Sequence, residues 1–406
     1  MTLKEKILFV LGGSLDVGGA ENQLLALIPE LLKSGLEVAV LCLRPPGIRG
    51  DRVKQMGVPV FAPPEFTNRG RGFVRKLAGL LGGVLAVWRC VRRERPDIAH
   101  FILPHAYLVG GLALIAAGSP RCVMSRRGMN RYLQSRPMTR WIERKLHQRM
   151  HILLGNSCQV ARELVFEGAP SERVGVIYNG LADHRFEALP SCVEAREQLG
   201  LPQNALILIK VANLWPYKGH VDIIEALAGI DLPGDWRLLI VGRDEGAGSG
   251  VRQEIARREL DGHVIIVGER DDVPLLLAAA DIAVCASHEE GFSNAVLEYM
   301  AAGLASVVTD VGGNREAVAD AGIVVPADDV PSLRKAIITL LDSDTRAGLA
   351  ARARQRARCF SMPRCAFEYE KLYRYLLSRG TLPPHLKAST LCADGSQVSN
   401  EQVGWS

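Results

Sequence analysis

Residues 6–43 constrain the fold more than any other stretch. Lys6 to Leu11 is a short apolar run, followed by a loop carrying Gly12, Gly13, Gly18 and Gly19. From Ala20 to Lys33 apolar residues recur at helical spacing, Gly35 suits a helix end, and LEVAVLCL reads as a second strand. Strand, glycine-rich loop, helix and strand make a βαβ unit, which commits the chain to a parallel sheet. The pattern restarts at ALILIKVANLWPYKGHVDIIEAL, with a strand Leu206 to Ala212, a loop, and a helix beginning near His220. A chain of 406 residues has room for two such domains, and the boundary falls near residues 180–200. The first loop lacks G-x-G-x-x-G spacing and an acidic residue placed for a ribose, so it gives dinucleotide binding poor support.

With 48% hydrophobic and 23% charged residues and no internal repeats, the composition is globular. No apolar run reaches the ~18 residues of a membrane span. The start, MTLKEKILFVLGG, flows directly into a glycine-rich turn and an amphipathic helix, and is read as a first strand instead of a signal peptide. Nine cysteines are scattered without a C-x-x-C pair. Neither a disulfide framework nor a zinc site is expected, and this usage fits a cytoplasmic protein. Charge is uneven: residues 1–187 hold 27 Lys and Arg against 15 Asp and Glu, while the whole chain carries +5. A basic half points to an anionic partner, whether nucleic acid, an inner membrane leaflet or a lipid-linked phosphate. The basic residues come without interleaved aromatics, which weighs against nucleic acid. They concentrate in the loop Pro63 to Gly72 and at Arg131, Arg136, Arg140, Arg144, Lys145 and Arg149. Between these, GFVRKLAGLLGGVLAVWRCVRRERPD reads as a helix, either interfacial or packed with snorkelling ends; Gly79, Gly82 and Gly83 favour packing.

SHEEGFSNAVLEYMAAG, Ser287 to Gly303, is the stretch with the clearest chemistry. A loop bearing Glu289, Glu290 and Gly291 runs into an apolar helix whose one acidic residue is Glu298, eight positions after Glu290. Ser293 and Asn294 are good N-cap types. A helix starting there presents free N–H groups and partial positive charge to an anion such as phosphate. The two carboxylates accept hydrogen bonds from hydroxyls at either end of an elongated ligand. Phosphate in the middle with hydroxyl-bearing groups at each end describes a nucleotide sugar. Spacing alone favours a helix cap flanked by solvated glutamates.

E-G-F-S-N-A-V-L-E-Y-M-A-A-G resembles the E-x7-E segment of retaining glycosyltransferases of family 4, also called glycosyl transferases group 1. The likeness extends over nearly all of residues 5–378. It implies the GT-B fold: two Rossmann-like, doubly wound α/β domains with parallel sheets, facing a cleft. The expected domains are 1–185, acceptor-side, with a returning helix at 360–380, and 186–359, nucleotide-sugar-binding, with residues 383–406 a disordered tail. By position, Glu290 would hold sugar hydroxyls, Glu298 the ribose, and Gly291, Phe292, Ser293 and Asn294 the diphosphate through backbone N–H groups. Lys218 would neutralise the phosphate from its own helix start, and Gly268 to Arg270 would read the base. Gly18 and Gly19 resemble the family's first glycine loop, facing donor and acceptor.

Two departures stand out. The family usually has an arginine five residues before the lysine, where this chain has Asn213. Many members have a histidine near the end of the strand PRCVMSRRGMN, where Arg126 and Arg127 stand, pointing to an anionic acceptor. Either the missing charge at Asn213 comes from Arg127, Arg243 or another side chain, or the diphosphate is held less tightly. His100, read as ending its strand, and His105, in the following loop, are candidates to line the acceptor side, with His105 grouped beside Glu290 and Lys218 as catalytic. No D-x-D cluster is read in the sequence, so no metal is assigned to the diphosphate, and no cofactor is expected. The expected reaction is thus retaining and metal-independent. It carries a sugar from a UDP- or GDP-linked donor to a hydroxyl of a lipid-linked or polysaccharide acceptor in cell-envelope or exopolysaccharide synthesis. Peripheral contact with an anionic membrane fits the same picture. A nucleotide-sugar epimerase and a catalytically silent nucleotide-sugar-binding subunit are the alternatives.

Overall fold

The computed structural model describes residues 5–16, 18–63, 73–115, 120–130, 133, 136–182, 186–232 and 234–392, the side chains of 73–78 and 115 excepted. The described residues divide into two compact units, residues 5–180 with 362–392 and residues 181–361.

The first unit holds seven strands: β1 (Lys6–Leu11), β2 (Glu37–Cys42), β3 (Val60–Phe61), β4 (Ile98–Ile102), β5 (Arg121–Arg126), β6 (Ile152–Gly155) and β7 (Val174–Val176). They lie in the order β3-β2-β1-β4-β5-β6-β7, with every pair parallel. Helices cover both faces, which is why these strands read as continuous apolar runs. On one face Phe9 and Leu11 pack with Leu24 and Leu27 of the helix Gly19–Lys33 and with Tyr369 and Tyr373 of the helix Met362–Arg379. On the other, Leu8 and Val10 meet Val87 of the helix Phe73–Glu94 and Tyr107 of the helix Pro104–Ile115. The arginine-ended helix is therefore packed against the sheet through Val87, Cys90 and Val91.

The second unit holds β8 (Leu206–Val211), β9 (Trp236–Val241), β10 (Val264–Gly268), β11 (Ile282–Cys285), β12 (Ala305–Thr309) and β13 (Ile323–Val325), again all parallel, in the order β10-β9-β8-β11-β12-β13. Strand order reverses between β1 and β4 in one unit and between β8 and β11 in the other. In open parallel sheets the crevice outside the carboxyl ends of strands at such a switch is where ligands bind. No helix among the described residues is long and apolar enough to cross a membrane.

Three expectations are corrected. The helical stretch Arg352 to Leu377 is two helices, Ser343–Ala357 in the second unit and Met362–Arg379 in the first, broken by a short turn and an extended Ser361. The Gly-rich segment Arg243 to Gly250 is helical from Gly248. Disorder from Pro383 does not hold for residues 383–392. Leu382 and Leu386 are buried in the first unit's core, the helix Ala388–Leu391 follows, and Cys392 forms a disulfide with Cys158 across 234 residues of sequence. That separation is why spacing gave no sign of the pair. Residues 393–406, the arginine-rich loop 64–72 and Arg131 lie outside the described residues. Burial pushes the thiols of Cys42, Cys90, Cys122 and Cys365 up to about 12, so they behave as core side chains.

Leu386→Ala should lower the stability of the first unit by about 2–5 kcal/mol. Urea unfolding followed by tryptophan fluorescence reads this, and a disordered segment at this position would give no change.

Candidate functional site

At the second unit's switch point two loops meet. One leaves β8 and runs to the helix His220–Ala228, which starts directly after Lys218 and Gly219. The other leaves β11 and runs through Glu289 and Glu290 to the helix Asn294–Ala302. Lys218 Nζ donates to Glu290 Oε1 at 2.7 Å, closing the gap between the loops. Gly219 has φ 66°, and a Cβ there would collide with the Ala286 carbonyl, so glycine lets the first loop lie against the end of β11. Gly312 has φ 54°, and a Cβ there would strike the Glu290 carbonyl. Behind the acidic loop, Gly313 N–H donates to Gly291 O at 2.7 Å, and Thr309 Oγ1 donates to Ser287 O at 2.6 Å. His288 N–H donates to Tyr217 O at 2.8 Å, and Phe292 packs on Phe360. The loop is thus anchored from several sides with Glu290 at its front.

Ser293 occupies the N-cap position of its helix without making a side-chain cap bond. Glu298 lies half-buried on the same helix, beyond its first turn. Burial works against the Lys218 ammonium, but the charge and hydrogen bond of Glu290 outweigh it and raise its pKa. Lys218 also lies 5.2 Å from the centre of the Tyr217 ring. Gly268, with φ 83°, ends β10 at a register shift, and its carbonyl accepts from Gly242 N–H at 2.8 Å.

In the first unit, Gly18 caps the helix Gly19–Lys33, and Glu21 in its first turn is buried. Burial raises the Glu21 pKa against the pull of its own backbone N–H, Arg127 and Arg49. His105, the second residue of the helix Pro104–Ile115, is exposed, with Nδ1 3.1 Å from Gly12 O. A carbonyl only accepts, so Nδ1 carries the proton and Nε2 of the neutral ring is an acceptor. Arg127 donates to Asn179 Oδ1 at 2.9 Å and to the Tyr369 hydroxyl at 3.1 Å, while its buried Nε has no hydrogen-bond partner.

Models of known families match both units: the one described as Glycosyltransferase Family 4 over residues 17–185 and the one described as Glycosyl transferases group 1 over residues 193–359. The chain is similar to N-acetyl-alpha-D-glucosaminyl L-malate synthase of Bacillus anthracis, 27% identical over 50% of this chain and 54% of that one, so this match spans about half of each. It is 28% identical to phosphatidyl-myo-inositol mannosyltransferase of Mycolicibacterium smegmatis over 90% of this chain and 93% of that one. Among solved structures, Anabaena HepE in complex with UDP-glucose superposes with a TM-score of 0.77 at 24% identity, covering 90% of this chain and 98% of that one. The fold is that of the GT-B glycosyltransferases. The chain belongs to glycosyltransferase family 4.

Not every residue singled out from sequence stands where it was expected. His100 is in the middle of β4, 1% exposed, with its ring nitrogens 2.7 Å from the Tyr373 and Ser125 hydroxyls. Burial, then Arg127, lowers its pKa to about 3, so it is a neutral core group. His105 lies on a helix instead of a loop. Arg126 is 3% exposed and spent on Glu167 and Glu143 at 2.6 and 2.8 Å, so the pairing of two arginines toward an acceptor reduces to Arg127. Arg243 turns to Glu245 and Glu269, and its backbone N–H donates to Asn213 Oδ1 at 3.1 Å, so neither residue offers a charge to the Lys218 loop. The Arg270 guanidinium is held by Asp272 at 2.7 Å. The one D-x-D spacing here, Asp342-Ser343-Asp344, is a helix start, with Asp342 accepting from Thr345 N–H.

Donor types that could hold a metal gather at Glu143, His147 and Glu167 and at Asp222, His288 and Asp328. Arg126 already lies among the first three. In the second set each His288 nitrogen faces a carboxylate. Lys210, a fully buried lysine on β8, was missed by sequence reasoning. Its signal was a single charge inside the otherwise apolar strand LILIKV.

Arg126→Met should destabilise the first unit by about 3–5 kcal/mol in urea, since it strands two buried carboxylates. Burial alone would raise the Glu167 pKa, but His147, Arg126 and Asn130 together bring it down to about 2. The stability this carboxylate contributes is therefore complete above its unfolded value near pH 4.5 and lost as pH falls toward 2. Unfolding midpoints measured from pH 6 to 2 should fall less steeply in Glu167→Gln than in the wild type.

Proposed function

We propose that the chain is a retaining, metal-independent glycosyltransferase that carries a sugar from a UDP- or GDP-linked donor to a hydroxyl of a lipid-linked or polysaccharide acceptor in cell-envelope or exopolysaccharide synthesis. The observation that carries this reading is the Lys218–Glu290 pair at the switch point, set directly before the helix Asn294–Ala302. Two similar proteins point the same way: HepE forms a complex with UDP-glucose, and the mycobacterial enzyme is a phosphatidyl-myo-inositol mannosyltransferase.

Lys218 and the N–H groups of Phe292 to Asn294 stabilise the diphosphate as the bond from the sugar's anomeric carbon to phosphate oxygen breaks and the electron pair leaves with it. The acceptor oxygen forms its bond to the same face of that carbon, and its proton passes to a phosphate oxygen. Glu290 orients the sugar hydroxyls and Glu298 holds the ribose. Asn213 lies beside the donor site at the end of β8, Gly19 belongs to the donor side, Gly268 and Arg270 face the base through their backbone, and Gly18, His105 and Arg127 belong to the acceptor side. The polar atoms of His105 and the Arg127 guanidinium suit an acceptor with hydroxyls and an anionic group.

Peripheral contact with an anionic membrane is supported by the helix Pro137–His147. It exposes Met138 and Trp141, 75% and 62%, among Arg136, Arg140, Arg144 and Lys145, while its one acid, Glu143, is buried. Tryptophan beside basic residues is the composition of an interfacial helix.

Lys218→Ala and Glu290→Ala should fold normally and lose transfer by about 100-fold or more in a radiolabelled-donor assay. Near-wild-type turnover of either would sink the assignment. Proton NMR of the product should show the donor's anomeric configuration, and EDTA should leave the rate unchanged. Conversion of the donor without acceptor would identify an epimerase, and donor binding without turnover on any acceptor a silent subunit. Trp141→Ala with Lys145→Ala should reduce salt-sensitive co-sedimentation with phosphatidylglycerol vesicles; binding indifferent to these changes would count against the membrane surface.

A further inference from the structure

The loop that carries Lys218 also carries two exposed aromatic rings. Trp215 and Tyr217 are 40% and 39% exposed, and their rings are stacked, with centroids 6.4 Å apart and planes at 19°. The loop is anchored without them. Leu214 is buried, its N–H donates to Arg243 O at 2.8 Å, and its carbonyl accepts from Ala247 N–H at 3.0 Å. Pro216 opens a short turn, closed by Lys218 N–H donating to Trp215 O at 3.0 Å. Tyr217 O accepts from His288 N–H at 2.8 Å, which ties the turn to the acidic loop. Two large rings are thus held outward on a fixed backbone. Such rings offer broad contact area with little conformational freedom left to lose on binding.

Their place in the site indicates the ligand. The centre of the Tyr217 ring is 5.2 Å from Lys218 Nζ, which lies 2.7 Å from Glu290 Oε1. Trp215 continues the stack from Tyr217. Phosphate is recognised by ammonium and N–H groups, and an aromatic face suits a different partner, one with polarised C–H bonds. A pyranose presents such a face, and its C–H hydrogens carry partial positive charge toward the negative face of the ring. Glu290 is assigned to the transferred sugar. The ring pair beside it is therefore placed for the second sugar of the reaction, the one that bears the attacking hydroxyl.

We propose that Trp215 and Tyr217 form an aromatic subsite that stacks on a pyranose of the acceptor. The proposal deepens the donor-site reading and rests on it for the position of the transferred sugar. It narrows the acceptor class: a saccharide end, free or lipid-linked, fits the ring pair, and a bare lipid phosphate does not.

The full chain labelled with 5-fluorotryptophan reads the contact directly, with the Trp215 fluorine signal assigned by its loss in Trp215→Phe. UDP or GDP is present, and the chain is titrated with the methyl glycosides of glucose, galactose, mannose and N-acetylglucosamine. The Trp215 signal should move saturably with at least one of them and stay in place with cyclohexanol. Affinity for that glycoside, followed by ligand-observed NMR, should fall by about 10-fold in Trp215→Ala and recover in Trp215→Phe. No movement with any glycoside, an equal shift with cyclohexanol, or unchanged glycoside affinity in Trp215→Ala would overturn the proposal. Trp215→Ala should bind UDP and GDP as the wild type does; a matching loss of nucleotide affinity would put the base on this ring and overturn it too. A wild-type chain that binds neither nucleotide counts against the donor reading alone, and the ring pair is then judged by the glycoside titration.

Discussion

The second unit is built around an ion pair that joins the two loops at its switch point. Lys218 and Glu290 sit on loops from adjacent strands; Gly219 lets the first lie against the Ala286 carbonyl, and Gly312, which follows β12, lies against the Glu290 carbonyl. Side-chain exposures of 18% and 11% put the pair between water and the interior, where an ion pair holds without being prohibitively strong. The surrounding hydrogen bonds, from His288 N–H to Tyr217 O, from Thr309 Oγ1 to Ser287 O and from Gly313 N–H to Gly291 O, hold the loops in place.

The first unit handles its positive charge differently. Arg126 and Arg127 are neighbours in sequence, yet one ends β5 inside a cage of two glutamates and the other turns to Asn179 and Tyr369. Net charge therefore overstates what is available on the surface. Among the outward basic residues are Arg140, Arg144 and Lys145 of the helix Pro137–His147, whose buried side carries Leu146 and His147 while its open side also carries tryptophan.

Both sheets were legible in the sequence, because strands such as KILFVL and LILIKV are covered on both faces and so leave unbroken apolar runs. The loop-to-helix step at Ser293 was legible for a local reason: cap residues, glycine and the apolar helix all fall within a few positions. The features missed are non-local. The partners of Arg126 lie 17 and 41 residues away, His100 is read as a core group only once Tyr373 is beside it, and Cys158 meets Cys392 across most of the chain. The helix break at Ser361 escaped because Arg352 to Leu377 keeps helical spacing on both sides of it, and only the passage from one unit to the other explains the interruption.

That passage has a consequence for biosynthesis. Residues 362–392 complete the core of the first unit, placing Tyr369, Leu372, Leu382 and Leu386 beside strands formed by the chain's beginning. The second unit is thus an insertion within the first. On the ribosome, the leading half must wait with part of its apolar sheet uncovered until the whole inserted unit has been made. The contiguous second unit can close first, and the earliest residues to be synthesised are among the last to be sealed.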